Sequence, residues 1–319
     1  MRKAAKQSKT RALTSVQGYH QGGSYTDVEQ YAYAGFGSNK YFTSDRFMPL
    51  DANFRRMDGK PLKGFGLEIE TECRGVTNST VYAEILQNVV FTHFPADLFK
   101  MQRDGSLGGD TSAECITQVM TKEFIRNNYA NFKLMYDTYF PAFGVSCSRS
   151  GNCGMHINIS NGCFGKSENV YAVAIRKLFY IVNKHYYLCC ALFNRDSNHT
   201  GYCARQDYAN AQTLDLSRMS CSHGVCFNMG HYNAGRIELR LVGGQTNYAC
   251  FRNTMESVFH LVDRVKTISW TDCDDVTKIF AGCNQYVFDR LKSKCYDAGQ
   301  ITTAQLETIK ATVQREELL

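Results

Sequence analysis

The sequence predicts an α+β fold, in which strands and amphipathic helices occur along the same chain. Some segments alternate apolar and polar residues, which is typical of strands, whereas longer segments repeat apolar residues at helical spacing. Glycine-containing turns separate several of these segments. With 319 residues, 44% of them hydrophobic and 13% aromatic, the chain is long enough for a sizeable core and has the composition of a folded, soluble protein.

The strongest strand pattern is the segment Gly64–Glu72, with the sequence GFGLEIETE. Alternation puts Glu68, Glu70 and Glu72 on one face. Because like charges along a strand repel and Glu has low β-propensity, strand stability does not explain this face. Two interpretations remain: the carboxylates hold hard cations through their oxygens, or the strand lies at a sheet edge with its acidic face in solvent.

The other predicted elements follow in chain order. Helices are predicted over about residues 79–90, with Ser79 as the N-cap, and over about residues 122–139, 169–194, 247–268 and 303–317. Strands are predicted over about residues 113–119, 155–160, 226–232 and 235–242, the last two paired as a hairpin. The turn-forming run Asp104–Asp110 precedes the first of these strands, and the polar segment 195–222 is either a lid or a surface excursion.

Two of these strands also carry polar faces. The polar side chains are His156, Asn158 and Ser160 on one strand and Arg236, Glu238 and Arg240 on the other. A satisfied polar histidine and a salt-bridged ladder are the plain interpretations. If the strands are neighbours in one sheet, these groups and Glu114 form an oxygen-rich site with one imidazole, which suits Mg²⁺ or Mn²⁺ better than zinc or copper. The adjacent arginines then favour bound phosphates and nucleotide chemistry.

The net charge of +6 is concentrated at the start of the chain. Five of the 36 lysine and arginine residues lie in the first eleven positions, and the other 31 nearly balance 30 acidic residues. Nucleic-acid binding is therefore not indicated except through this basic tail. A disordered tail, a nucleic-acid contact and an organelle presequence are the alternatives for the tail, and a disordered tail is favoured.

Neither a membrane-spanning apolar run nor a signal peptide is visible, which favours a soluble protein. The fourteen cysteines are scattered and lack the paired CxxC spacing of structural zinc sites. A chain of this size does not need disulfides for stability. We therefore expect reduced, mostly buried thiols and a reducing compartment, most simply the cytoplasm.

Five short motifs occur between about residues 64 and 250. They are Phe65–Glu70 (FGLEIE), Asp104–Leu107 (DGSL), Ala113–Ile116 (AECI), Gly154–Asn158 (GMHIN) and Arg236–Arg240 (RIELR). In this order they resemble the glutamine synthetase and glutamate–cysteine ligase superfamily of carboxylate–amine ligases. Within it the chain is most similar to the amidoligases, which are common in bacterial and phage gene clusters. No GxxxxGK[ST] loop is present, so a P-loop enzyme is disfavoured.

The resemblance implies an antiparallel β-sheet whose concave face holds ATP and Mg²⁺ or Mn²⁺, with helices packed on the outer side. Residues 63–319 are then one catalytic domain, and residues 1–62 are predicted to form an extended, partly disordered basic arm. The expected location is the cytoplasm, which is that of the bacterial host if the chain is phage-encoded.

The resemblance also implies roles for individual residues. The implied metal ligands are Glu68, Glu70, Glu114, His156 and Glu238, with Glu70 and Glu114 on the ion nearer the substrate and the others on the ion that bridges the ATP phosphates. The implied catalytic residues are Arg240, at the γ-phosphoryl group, and Asp104, beside the first ion. The implied nucleotide-binding residues are Arg240, Arg236, Arg205 and Asn158.

The implied reaction is phosphorylation of a carboxylate by ATP, followed by attack of an amine on the acyl phosphate to form an amide. The acid and the amine are small molecules, peptides or proteins. The base that deprotonates the amine is left open between Glu72 and Asp110. Two alternatives remain: a phosphotransferase on the same scaffold, and a non-catalytic virion or nucleic-acid-binding protein with a degenerate ligase fold.

Overall fold

The computed structural model describes residues 39–44, 46–51, 55–74, 82, 84–102, 107, 112–147, 153–197, 201–219 and 224–314. Strands and helices both occur within these residues, which confirms the α+β class. The chain divides into two compact units. Unit 1 takes its residues from Met1–Lys60, Gly64–Met155 and Gly244–Tyr248, and unit 2 from Pro61–Lys63, His156–Gly243 and Ala249–Leu319. The predicted boundary at residue 62 between arm and catalytic domain stays a prediction.

Unit 1 contains a mixed β-sheet. Its strands are β1 (Lys40–Phe42), β2 (Phe47–Pro49), β3 (Phe65–Cys73), β4 (Phe99–Gln102), β5 (Ser112–Thr117), β6 (Val119–Met120) and β7 (Val145–Ser146). The spatial order is β2, β1, β6, β3; β5 and β7 also pair with β3, and β4 pairs with β5. These pairs are antiparallel except for β1 and β6, which run parallel with Tyr41 opposite Val119.

The prediction of a purely antiparallel sheet is therefore wrong. Parallel partners are joined by a long connection, because the chain must return to the same end of the sheet before it can pair. β1 lies in the segment that was predicted as an extended arm, where no apolar alternation indicated a strand. Tyr41 and Phe42 are nevertheless buried, so β1 contributes to the core of unit 1.

A β-bulge at Gln118 separates β5 from β6, which the sequence predicted as one strand over residues 113–119. The register of β3 with its partners shifts by one residue across Gln118. The Gln118 N–H donates to the carbonyl of Leu98 at 2.8 Å, and its side-chain oxygen accepts from the N–H of Lys40 at 3.0 Å. Both of these hydrogen bonds of Gln118 lie outside the β3 ladder, and the regular strand ends here.

The helical segment of unit 1 begins at Lys122, as predicted. The Thr121 hydroxyl caps it by accepting from the Phe124 N–H at 3.0 Å. Its parts are α1 (Lys122–Asn127), α2 (Tyr129–Lys133), a π-helical turn (Leu134–Tyr139) and α3 (Phe140–Ala142). The earlier predicted helix includes a π-helical turn (Leu86–Val90) that leads into a 3₁₀ turn (Phe91–His93); its predicted cap, Ser79, lies outside the described residues.

Unit 2 contains an antiparallel sheet of β8 (Met155–Ser160), β9 (Phe227–Asn228) and β10 (Arg236–Leu239), with β10 in the middle. β8 has the predicted bounds, and its first residue is counted with unit 1. The predicted hairpin is present with shorter strands. A 3₁₀ turn before β10 ends at Gly235, whose φ of 89° favours glycine.

The described residues after β8 include α4 (Glu168–Lys184), α5 (Tyr186–Leu192), α6 (Tyr248–Arg264), α7 (Val276–Ile279), α8 (Gln285–Arg290) and α9 (Thr303–Lys310). α4 with α5, α6 and α9 correspond to predicted helices, whereas α7 and α8 were not predicted. α4 and α5 were predicted as one helix and are separated at His185, whose Nε2 lies 2.9 Å from the Cys273 carbonyl. None of the helices formed by the described residues has both the length and the apolarity needed to cross a membrane.

Thirteen cysteines lie among the described residues, and all are free thiols. Eleven of them are buried. Burial raises the pKa of the Cys115 thiol to about 12, so this thiol is neutral at physiological pH and is a poor nucleophile. These cysteines act as small apolar core residues, which the sequence predicted.

Gly244 provides a test of the packing in unit 1. A Cβ atom at this position would overlap the backbone carbonyl of Cys147. We expect Gly244→Ala to lower the free energy of unfolding by at least about 1–3 kcal/mol, because the backbone would have to move. Urea-induced unfolding measures this loss. Gly201→Ala is the control, because a Cβ atom there meets no atom within 4 Å; equal effects of the two substitutions would contradict the described packing.

Candidate functional site

Unit 1 carries buried carboxylates on β3 and β5. Glu70 of β3 lies directly opposite Glu114 of β5 in the antiparallel register, and each offers a carboxylate oxygen within 4.8 Å of the other. Glu70 is 5% exposed and Glu114 is 0% exposed. Two carboxylates this close and this buried repel each other, because little water is left to screen them.

The interpretation of β3 as an edge strand with a solvated acidic face is wrong. Glu72 pairs with Ser112 of β5 and with Ser146 of β7, so β3 has neighbours on both edges at this point. Glu72 is also buried, while Glu68 is half-buried. The acidic face therefore lies inside unit 1, where charge requires compensation.

Lys100 of β4 supplies one positive charge near these carboxylates. It lies opposite Ile116 of β5, which in turn lies opposite Glu68. Burial lowers the pKa of Lys100, and the carboxylates of Glu114 and Glu68 act in the opposite direction. The sequence analysis missed Lys100 because it did not predict β4; the alternation in FKMQ is the signal that could have found it.

Gly154 holds one carboxylate of this face in place. Its N–H donates to Oε2 of Glu70, and the Glu70 N–H donates to the Gly154 carbonyl at 3.1 Å. A hydrogen bond from a backbone N–H to a carboxylate is charge-assisted and directional. The glycine that precedes MHINIS in the sequence thus orients Glu70.

In unit 2 the polar faces of β8 and β10 bring together the group that we call the His156–Glu238–Arg240 cluster. Arg240 Nη1 donates to Oε1 of Glu238 at 2.6 Å and lies 3.4 Å from Nδ1 of His156. The same His156 nitrogen is 3.5 Å from Oε1 of Glu238. His156 and Glu238 are buried and the Arg240 side chain is 11% exposed, so the ion pair is nearly removed from water.

Asn228 of β9 completes the contacts of Glu238. It lies opposite Glu238 in the antiparallel register and donates Nδ2–H to Oε2 at 2.8 Å. Asn228 is 2% exposed. The sequence analysis predicted the strand of Asn228 but gave this residue no role; its position opposite Glu238 in the predicted hairpin is the signal that could have found it.

The predicted nucleotide-binding residues have described partners in unit 2. Arg236 Nε donates to the side-chain oxygen of Asn158 at 3.0 Å. Arg205 Nε donates to the carbonyl of Asn183 at 2.7 Å, and its Nη2 donates to the hydroxyl of Tyr208 at 2.8 Å. Arg205 therefore anchors its segment to the end of α4. The predicted residues Asp104 and Asp110 lie outside the described residues.

A cavity of about 180 Å³ lies in unit 1 beside the end of β3. Ser146, which pairs with Glu72, lines it together with Gln245 and Tyr136. The rest of the lining is Phe140, Pro141, Val145, Cys147 and Thr246. The lining thus combines apolar side chains with amide and hydroxyl groups, which suits a small amphipathic molecule.

The donor groups fit a hard divalent cation. Unit 1 offers two carboxylate oxygens within 4.8 Å of each other, from Glu70 and Glu114, and unit 2 offers an imidazole nitrogen and a carboxylate oxygen, from His156 and Glu238. Mg²⁺ is usually held by one or two carboxylates and completes its coordination with water and substrate phosphates. At Glu238 an ion would share or replace the contact with Arg240.

No protein-family model matches the chain, and no curated protein sequence matches it. Among solved structures, the GmaS/ADP complex aligns with a TM-score of 0.42 and 13% identity, over 78% of this chain and 67% of that one. A match at this TM-score does not establish a shared fold or a shared activity.

The contact between Asn228 and Glu238 leads to a stability prediction. Asn228→Ala removes the donor to a buried carboxylate oxygen and should lower the free energy of unfolding by about 1–3 kcal/mol. Urea-induced unfolding measures the change. Asn233→Ala, at an exposed asparagine before β10, should change it by less than about 0.5 kcal/mol. Indistinguishable midpoints for the two variants would contradict the role of Asn228.

Proposed function

We propose that this chain is an ATP- and Mg²⁺-dependent ligase that joins a carboxylate to an amine through an acyl phosphate. The observation that carries the proposal is the Glu70–Glu114 pair, two buried carboxylates opposite each other on neighbouring strands. Such a pair weakens the fold, and a sequence retains arrangements of this kind chiefly at functional sites. A divalent cation would turn the repulsion into attraction.

The proposed ligand sets come from the sequence resemblance. Glu70 and Glu114, with Asp104, would hold the ion nearer the substrate. Glu68, His156 and Glu238 would hold the ion at the ATP phosphates. When bound, Mg²⁺ (or Mn²⁺) would neutralise phosphate charge and polarise the transferred phosphoryl group.

Arg240 is the proposed contact of the γ-phosphoryl group. Its guanidinium is held on the polar face of unit 2 by Glu238 at 2.6 Å, so it needs little reorganisation to stabilise charge there. Arg236 and Asn158, which are bonded to each other, and Arg205 are proposed to bind the nucleotide. The contacts of Arg205 with Asn183 and Tyr208 favour an indirect role.

The proposed reaction has two steps. An oxygen of the substrate carboxylate bonds to the γ-phosphorus of ATP, and the bond to the leaving ADP oxygen breaks. The amine nitrogen then bonds to the acyl carbon, inorganic phosphate leaves, and one amine proton passes to a base. Glu72, buried on the polar face of β3, and Asp110 are the candidate bases.

We propose three broader assignments together with this function: the fold superfamily, the cellular location and the class of partner. We propose the concave sheet of the glutamine synthetase and glutamate–cysteine ligase superfamily, and a place in the cytoplasm, which is that of a bacterial host if the chain is phage-encoded. The proposed partners are small-molecule, peptide or protein carboxylates and amines. The cavity beside Glu72 is a candidate place for one of them.

Thermal unfolding with ATP and Mg²⁺ tests the proposal. Ligand binding to the native state should raise the midpoint of the wild type. Glu70→Gln and Glu238→Gln should each abolish this rise, because each removes a proposed metal ligand while keeping the shape of the side chain. Glu307→Gln, at an exposed position on α9, is the control and should respond like the wild type.

The products distinguish the proposed ligase from a phosphotransferase. A ligase releases inorganic phosphate only when both acid and amine are present, whereas a phosphotransferase gives ADP and a stable phosphorylated product. No thermal response of the wild type at millimolar ATP and Mg²⁺ would contradict both activities and would favour a binding or structural protein.

A further inference from the structure

We infer that Arg195 is a positioning residue for Arg240: its guanidinium holds the backbone that follows β10 and thereby fixes where the Arg240 side chain points. This inference rests on the proposed function, in which Arg240 contacts the γ-phosphoryl group. It assigns a role to a residue of the polar segment 195–222, which the sequence predicted to be either a lid or a surface excursion.

The guanidinium of Arg195 spans three consecutive carbonyls. Nη2 donates to the Val242 carbonyl at 2.7 Å and to the Arg240 carbonyl at 3.3 Å, and Nε donates to the Leu241 carbonyl at 3.4 Å. These carbonyls follow the last residue of β10, Leu239, where the strand ladder has ended and buried backbone oxygens need other donors. The planar fork of arginine supplies several donors in a fixed geometry.

Arg195 is itself held firmly by the end of α5. Its N–H donates to the carbonyl of Cys190 at 2.9 Å. Arg290, which is 3% exposed, donates to the Leu192 carbonyl at 3.0 Å and to the Asn194 side-chain oxygen at 3.3 Å. The residues directly before Arg195 are thus bound to α8, so the guanidinium is presented from a rigid support.

Gly243 independently indicates that residues 193–195 and residues 240–243 approach each other closely. Its N–H donates to the Phe193 carbonyl at 3.0 Å, and a Cβ atom at Gly243 would overlap the Asn194 carbonyl. Residues 240–243 are therefore bound by residues 193–195 along their whole length. Arg240 begins this bound stretch, and its own N–H donates to the Cys226 carbonyl at 3.0 Å.

The side chain of Arg240 depends on this support. Its guanidinium reaches Glu238 at 2.6 Å, and Glu238 lies two residues earlier on the same face of β10. If residues 240–242 lost the Arg195 donor, the backbone from the Arg240 carbonyl onward could move, even though the Arg240 N–H stayed bonded to Cys226. The distance between the Arg240 guanidinium and its target would then vary, and phosphate binding would weaken.

Arg195→Lys is the most informative variant, because it keeps the positive charge but cannot bond three carbonyls at once. Arg176→Lys is the matched control: Arg176 lies in the same unit and its Nε donates to the single carbonyl of Leu214 at 2.7 Å. For both variants we would measure the affinity for ATP with Mg²⁺ by calorimetry, the amide hydrogen exchange of residues 240–243, and the thermal midpoint.

We expect Arg195→Lys to weaken ATP binding by about tenfold or more, which corresponds to the loss of one hydrogen bond between the Arg240 guanidinium and a charged phosphate. We also expect faster amide exchange at residues 240–243. Arg176→Lys should change neither. Unchanged exchange and affinity in a folded Arg195→Lys would overturn the inference, as would a lowered midpoint with wild-type affinity, which indicates a merely structural role. No ATP binding by the wild type would instead refute the proposed function, and wild-type exchange rates in Arg195→Lys would still count against the positioning role.

Discussion

The burial of carboxylates on an interior strand is the constraint on which the rest of the site depends. Glu70 and Glu114 face each other across β3 and β5 with almost no exposure. The opposite face of β3, with Leu67 and Ile69 fully buried, supplies the apolar packing that allows the strand to tolerate them. Because two buried carboxylates repel each other, the pair supports the proposed cation site, and Lys100 offers only part of the compensating charge.

Unit 2 also buries a carboxylate, that of Glu238, and protein side chains bond both of its oxygens. Glu238 accepts from Arg240 on one oxygen and from Asn228 on the other, and the carbonyls that follow β10 accept from Arg195. A buried network in which each member is bonded holds its groups in one arrangement. The two units thus differ in kind: unit 1 concentrates negative charge, whereas unit 2 presents an arginine in a fixed position.

Period-two alternation explains why the sequence predicted β3, β8 and β10 and the polar faces that they carry. It could not predict β1, which is short and pairs with residues distant in sequence, and it marks β4 over only four residues. It also could not predict the parallel pairing of β1 with β6, or the break of the long helix at His185. Arg195 was missed as a site residue for a related reason: its role comes from contacts with backbone distant in sequence, and no local pattern encodes those contacts.

The most direct test of the account is the binding of Mn²⁺, followed by electron paramagnetic resonance, to the wild type and to the double variant Glu70→Gln/Glu114→Gln. The account predicts saturable binding by the wild type and its loss in the double variant, which should remain folded because both substitutions keep the side-chain shape and remove a repulsion. Equal binding by the two proteins, or no binding by the wild type up to millimolar Mn²⁺, would contradict the claim that the buried acidic face is a cation site.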